Sequence, residues 1–261
     1  MLDLKNASHA YLFGFVQADG HLRRITGNKG ALTVELNSQD IWLLEQFAQL
    51  VPVYSSITTR RRETNFKSGH ESATWTVYDL AFRQMLLALG MPEGRKSAIV
   101  TPPQVEFSQL DYYRGLIDAD GALGLTSNKF PFLTLTTRSE ALATGYLDFV
   151  GKVIGKAKTS SRNLRDQVFN IAVFKEDAQL LSASLYYEGS LALPRKLEKA
   201  RQIAEWARPA EMKKIENRKR WTLEEDTIVM NHSIMESAQI LGRSEKSVNI
   251  RRWRLRNGIT R

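Results

Sequence analysis

Cysteine is absent from this chain of 261 residues. That excludes disulfides, thiolate zinc sites and a cysteine nucleophile, and it agrees with an intracellular setting. Histidine is scarce: the 4 residues are scattered with no H-E-x-x-H spacing, which argues against zinc hydrolysis. No apolar run is long enough to cross a bilayer, so no membrane is expected. Met1-Leu2-Asp3-Leu4-Lys5 runs almost directly into the first apolar segment, which leaves no room for a signal or transit peptide. Acidic residues are outnumbered toward the C-terminus. Residues 195–261 carry 17 Lys and Arg against 9 Asp and Glu, which accounts for most of the net charge of +9. The first 194 residues are close to neutral. A basic tail on a neutral body points to a polyanionic partner, most often nucleic acid.

What is present is 43% hydrophobic residues, enough to bury a real core, and one phrase that occurs twice. It reads Leu12-Phe13-Gly14-Phe15-Val16-Gln17-Ala18-Asp19-Gly20 and then Tyr113-Arg114-Gly115-Leu116-Ile117-Asp118-Ala119-Asp120-Gly121. The apolar residues cover nearly the whole circumference, which predicts a helix buried on most sides. Gly14/Ala18 and Gly115/Ala119 put small residues on one face, where another helix backbone can come close. The closing Gly suits a left-handed position past a helix end. The Asp before it sits where the helix dipole is already negative. If the two helices pack side by side and parallel, Asp19 and Asp120 emerge together. Their repulsion is then relieved by a divalent cation.

These residues resemble the signature of the LAGLIDADG homing endonucleases. The second copy matches from Gly115 to Gly121; the first keeps Gly14, Ala18, Asp19 and Gly20 and departs with Gln17 where the second has Asp118. The resemblance implies that paired helices join two similar halves and that the last Asp of each motif, Asp19 and Asp120, binds metal.

The rest of the chain repeats around the motif. His21–Thr26 and the strictly alternating Leu32–Asn37 read as strands, with Asn28-Lys29-Gly30 as the turn between them. A helix follows Ser38, then a hairpin of Ser55–Arg62 and Ala73–Tyr78 across a loop with Asn65, Ser68 and Gly69, then helix Leu80–Leu89. The second half offers strands near Ala122–Thr126 and Phe132–Thr137, helix Glu140–Ile154, strands Lys156–Arg162 and Gln167–Phe174, and helix Asp177–Leu185. Val34 and Leu135, like Ser38 and Ser139, keep the spacing of Asp19 and Asp120. The predicted class is α+β: two pseudo-symmetric αββαββα halves forming a DNA-binding saddle, residues 1–98 and 108–207, plus a small all-α module at 217–261. Pro102-Pro103 lies in the connection between the halves.

Phosphodiester hydrolysis needs an activated water and cations to offset the growing negative charge. Asp19 and Asp120 are the candidate metal ligands and catalytic acids, with Mg²⁺ or Mn²⁺ as the cofactor and one Asp for each DNA strand. Lys96 and Lys196, each in an Arg-Lys pair after its half's helices, are candidates to support the transition state or to contact phosphate. Arg195 is a candidate phosphate contact, and Asn37 and Thr136 are candidates to hold a water. On the free sheet faces, Thr58, Arg60 and Arg62, or Thr59 and Arg61, depending on register, together with Lys158, Ser160 and Arg162, suit a major groove.

Pro194–Ala207 reads as a helix and Lys213–Arg220 as a basic connector. The stretch Arg220-Trp221-Thr222-Leu223-Glu224-Glu225-Asp226, with Thr222 and Glu225 as a capping box, and the later Leu241-Gly242-Arg243-Ser244 resemble a Myb/SANT-type helix-turn-helix module. Its last helix, Ser244–Asn257, carries Lys246, Asn249, Arg251, Arg252 and Arg254 as candidate DNA contacts, with Trp221 and Trp253 expected to supply most of the core. The chain is read as a monomeric double-motif homing endonuclease acting on double-stranded DNA inside the cell. An intron RNA maturase and a DNA-binding regulator with an inactive core are the rival readings.

Overall fold

The computed structural model describes residues 2–23, 29–62, 69–212 and 221–258. Part of the predicted strand His21–Thr26, the turn residue Asn28, the loop residues Asn65 and Ser68 and the connector Lys213–Arg220 lie outside the described residues. The chain divides into two compact units, Met1–Arg208 and Pro209–Arg261.

The larger unit holds the duplicated pattern. Its first half runs α1 (Ala7–Asp19), β1 (His21–Leu22), β2 (Leu32–Asn37), α2 (Ile41–Leu50), β3 (Ser55–Arg62), β4 (His70–Val77) and α3 (Leu80–Ala88). The second runs α4 (Gln109–Asp120), β5 (Gly121–Leu125), β6 (Pro131–Thr137), α5 (Glu140–Ile154), β7 (Phe169–Phe174), α6 (Glu176–Leu185) and α7 (Pro194–Ala204). Both sheets are antiparallel, in the order β1-β2-β4-β3 and β5-β6-β7. Helix starts follow from short polar side chains. Asn6 accepts the backbone N–H groups of Ser8 and His9 at the head of α1, Ser139 accepts from Leu142 at α5, and Gly155 ends α5 in the left-handed region at φ 68.

Alternation decides which sheet face is covered. Val34, Ala73, Trp75 and Val77 point inward and are fully buried, and the Trp75 ring meets Phe47 of α2 at 6.0 Å. Pairing of Thr58 with Thr74 and of Thr74 with Glu35 puts Thr58 and Arg60 on the free face beside Glu35 and Asn37. Thr59 and Arg61 share the opposite face with Ile57. The register thus separates the two sets that periodicity left open.

The predicted strand Lys156–Arg162 does not form. Among the described residues the second sheet has three strands, and this segment contributes one isolated bridge, Arg162 to Phe169. The stretch offers only Ala157 to a core, among Lys and Ser of low strand preference, so little packing rewards a fourth strand.

The glycines closing the motifs also differ from expectation. Gly20 and Gly121 are extended, at φ −71 and −92, not left-handed. Space is what demands glycine there. An added Cβ would meet Val16 O at 2.5 Å after Gly20, and Ile117 Cα and O at 2.8 Å after Gly121.

Among the described residues the smaller unit has three helices, α8 (Leu223–Asn231), α9 (Ile234–Leu241) and α10 (Glu245–Arg256). The Thr222–Glu225 capping box forms, and Ser233–Glu236 makes a second one. The core is Val229, Ala238 and Val248, with Trp221, Ile234, Leu241 and Leu255 packed against it. Trp253 is 59% exposed and takes no part in that core. Trp221 instead lies under the Arg243 guanidinium, 4.0 Å from its ring centre, and Arg243 pairs with Glu225 at 2.8 Å.

Candidate active site at the ends of a helix pair

The larger unit is built around α1 and α4. Residues Ala10–Gln17 and Asp111–Asp118 are buried along their whole runs. The two helices touch through their glycines. A Cβ on Gly14 would lie 2.1 Å from Tyr112 O, and one on Gly115 would lie 2.2 Å from Tyr11 O. Main chain therefore packs on main chain, and the two C-terminal ends come out side by side with Asp19 and Asp120 exposed on them.

The charge of Asp120 acts on Asp19. Burial among the packed helix ends and then the charge of Asp120 push the Asp19 carboxyl up to about 6. Burial also raises Asp120, against the pull of Lys96 and Lys196. Both lysines reach the same place from beneath. Lys96 Nζ donates to the carbonyls of Gln17 and Ala18, and Lys196 Nζ donates to those of Ile117, at 3.0 Å, and Gly121. Each ammonium thus caps the negative end of its own half's motif helix. Burial lowers both lysines, Lys196 to about 8.

Two depressions flank the paired ends. Gln17, Lys96, Asp120, Thr136 and Arg138 line one. Asp19, Glu35, Asn37, Asp40 and Arg195 line the other. The pairing crosses between halves: Lys96 of the first half shares a depression with Asp120 of the second, and Arg195 of the second half shares one with Asp19 of the first. Arg195 also donates to Asp40 at 3.1 Å. Thr136 and Asn37 stand in separate depressions; Thr136 donates to Asn170 Oδ1 at 2.8 Å and Asn37 accepts from the Gln39 N–H.

Among the described residues no group of three or more His, Cys, Asp or Glu is placed to hold a metal ion. The acid pair is what the site offers. Two exposed carboxylates at neighbouring helix ends, the charge of one acting on the other, suit a hard cation that keeps several of its waters.

The remaining candidates are dispersed. Arg60 and Arg61 are exposed on the edge strand β3; Arg62 ends that strand, and its side chain lies outside the described residues. Lys158 pairs with Asp177 at 3.3 Å, and Arg162 pairs with Glu140 at 3.6 Å and covers the Phe169 ring. In the smaller unit Arg251 turns inward. It grips Asp226 of α8 with two hydrogen bonds, of 2.7 and 2.6 Å. Arg252 donates to the carbonyls of Val229 and His232 at the end of α8. Both arginines tie helices of the unit together. Lys246, Asn249 and Arg254 stay exposed. Sequence reasoning missed Glu35 and Asp40 as site residues; the outward position on an alternating strand was the local signal for Glu35, and a place at the head of α2 the one for Asp40.

No family model matches the chain, and no curated protein matches it. Solved structures do. The fold is that of the LAGLIDADG homing endonucleases. The homing endonuclease I-WcaI bound to its DNA recognition sequence superposes with a TM-score of 0.57 at 13% identity, over 77% of this chain and 88% of that one. Meganuclease I-SmaMI bound to uncleaveable DNA with a TTGT central four gives 0.50 at 13% identity, over 78% and 90%.

Proposed function

We propose that the chain is a site-specific DNA endonuclease that cuts both strands of a long, asymmetric duplex site with Mg²⁺ or Mn²⁺, acting as a monomer whose two halves each supply one motif helix. The observation that carries this reading is the emergence of Asp19 and Asp120 side by side at the ends of a helix pair, with basic side chains on both flanks. The neighbours named above were solved on DNA, which supports double-stranded DNA as the partner.

Asp19 and Asp120 would hold a divalent cation, which would supply positive charge to offset that of the scissile phosphate and would lower the pKa of water. The chain's own residues prepare the place. Lys96 and Lys196 fix the helix ends that carry the two acids. Their charge, with that of Arg195, favours a phosphate entering the two depressions. Thr58 and Arg60, on the free face of the first sheet, are proposed to contact bases or backbone in a groove. The three-helix unit is proposed to be a Myb/SANT-type module that presents Lys246, Asn249 and Arg254 to DNA and lengthens the footprint.

The test is selection of cleaved sites from a randomised duplex library, with Mg²⁺ and in parallel with Ca²⁺. Recovery of one long site cut on both strands supports the reading. Sequence-specific binding without any nick in Mg²⁺ or Mn²⁺ refutes it and favours a regulator.

A further inference from the structure

Two buried polar side chains remain unused by this reading. Gln17 is 1% exposed and Asp118 is 0% exposed, and each stands two residues before its motif's terminal Asp. Their partners are related by the duplication. Tyr11 of α1 donates to Asp118 Oδ2 at 2.7 Å, and Tyr112 of α4 donates to Gln17 Oε1 at 2.6 Å. Each helix therefore supplies the tyrosine that fixes the other's polar residue.

The remaining bonds lead outward to one basic segment each. Asp118 Oδ2 accepts the Leu193 N–H at 2.7 Å, immediately before α7 with its Arg195 and Lys196, and Asp118 Oδ1 accepts Tyr186 OH at 2.6 Å. Gln17 Nε2 donates to Gly90 O at 3.1 Å and Thr101 O at 3.2 Å, the two ends of the segment that carries Lys96. A buried carboxylate must be satisfied by donors and a buried amide by both donors and acceptors, so neither side chain can leave without stranding its partners.

We propose that Gln17 and Asp118 are positioning residues, each latching the basic segment that serves the opposite half's carboxylate: Gln17 sets Lys96 toward Asp120, and Asp118 sets Arg195 toward Asp19. This rests on the endonuclease reading for its catalytic consequence but not for the latch itself. The latches differ in kind. One is an amide joining two carbonyls, and the other a carboxyl group gathering three donors, so the two cutting sites are held by unlike means. Each can be loosened alone.

The experiment has two readouts on the full chain. Segment-resolved amide hydrogen exchange is measured for Asp118→Asn and Gln17→Leu, and strand-specific single-turnover cleavage is measured on a selected duplex with each strand labelled. Asp118→Asn is expected to quicken exchange over residues 191–197, and Gln17→Leu over residues 90–101, each on the order of tenfold and each leaving the other segment unchanged. Asp118→Asn is expected to slow the strand that Arg195→Ala slows, and Gln17→Leu the strand that Lys96→Ala slows, with DNA affinity unaltered. Exchange that quickens in both segments alike, or equal slowing of both strands, overturns the proposal, because a general loss of helix packing has no strand preference. Should Asp118→Asn fail to fold, Tyr186→Phe removes one of the three donors and is read the same way. A wild-type chain that leaves both strands intact refutes the endonuclease reading, and exchange alone then decides the latches.

Discussion

Replacing Gly115 by Ala adds one methyl group where the backbone of another helix already sits. The new Cβ would lie 2.2 Å from Tyr11 O and 2.8 Å from Phe15 N. Both obstacles are main-chain atoms inside a helix, so no side chain can rotate aside, and α1 and α4 must separate by roughly 1 Å to restore ordinary contact. Overpacking of this kind costs about 1–3 kcal/mol, and the upper end applies because the whole helix has to move. Alanine returns about 1 kcal/mol in helix propensity. The net expectation is a loss of about 2 kcal/mol, or about 4–8 °C in melting temperature for a domain of this size. Gly151 of α5 is the control. There the nearest atom to an added Cβ is Lys156 O at 3.5 Å, an ordinary contact, so Gly151→Ala keeps the propensity gain and is expected to stabilise. Thermal and urea unfolding followed by circular dichroism measure both, with an unchanged denaturant slope confirming a common mechanism. A Gly115→Ala protein as stable as Gly151→Ala would refute the backbone-on-backbone contact.

Four further expectations follow. Asp19→Asn or Asp120→Asn is expected to abolish double-strand cleavage while sparing DNA binding, checked by plasmid cutting beside a gel-shift titration; full double-strand cutting in either variant would remove these residues from the site. Because the Asp19 carboxyl is pushed up to about 6, folding favours its protonated form. Its contribution is fully present below the unfolded value and is lost as pH rises through about 6, so metal-free Asp19→Asn is expected to gain on wild type at pH 8 and not at pH 3. Asp19 is exposed, and solvent screening keeps that gain to about 1 kcal/mol, read from unfolding curves at the two pH values. Half-saturating Mg²⁺ for cleavage is expected to fall roughly tenfold from pH 5 to pH 7 and to level off above, since the metal requires the ionised carboxylate; a flat profile would contradict this. Removing residues 209–261 is expected to leave the larger unit folded, with its own core, and to weaken DNA binding and shorten the protected footprint; unchanged affinity and footprint would take that role from the three-helix unit.

Much of this protein could be read directly from its sequence, because the informative features are local or repeated. A small residue every fourth position, a closing Asp-Gly, and a second copy in constant register specify a helix, its contact face and its duplication without reference to anything distant. Strict alternation over Leu32–Asn37 likewise marks Leu32, Val34 and Leu36 for the core, and all three are buried. Tertiary structure decided whatever depends on which atoms meet through space. It put Lys96 with Asp120 and Arg195 with Asp19, a crossing that arises because the two halves face each other across the helix pair. It turned Arg251 inward onto Asp226, since a guanidinium on a short helix reaches a neighbouring carboxylate as readily as solvent. It withheld a strand at 156–162 and set the reason for Gly20 and Gly121, which is the distance to Val16 and Ile117 and not the sign of a dihedral angle. Periodicity records which side of an element is apolar; only packing records how near the next backbone comes.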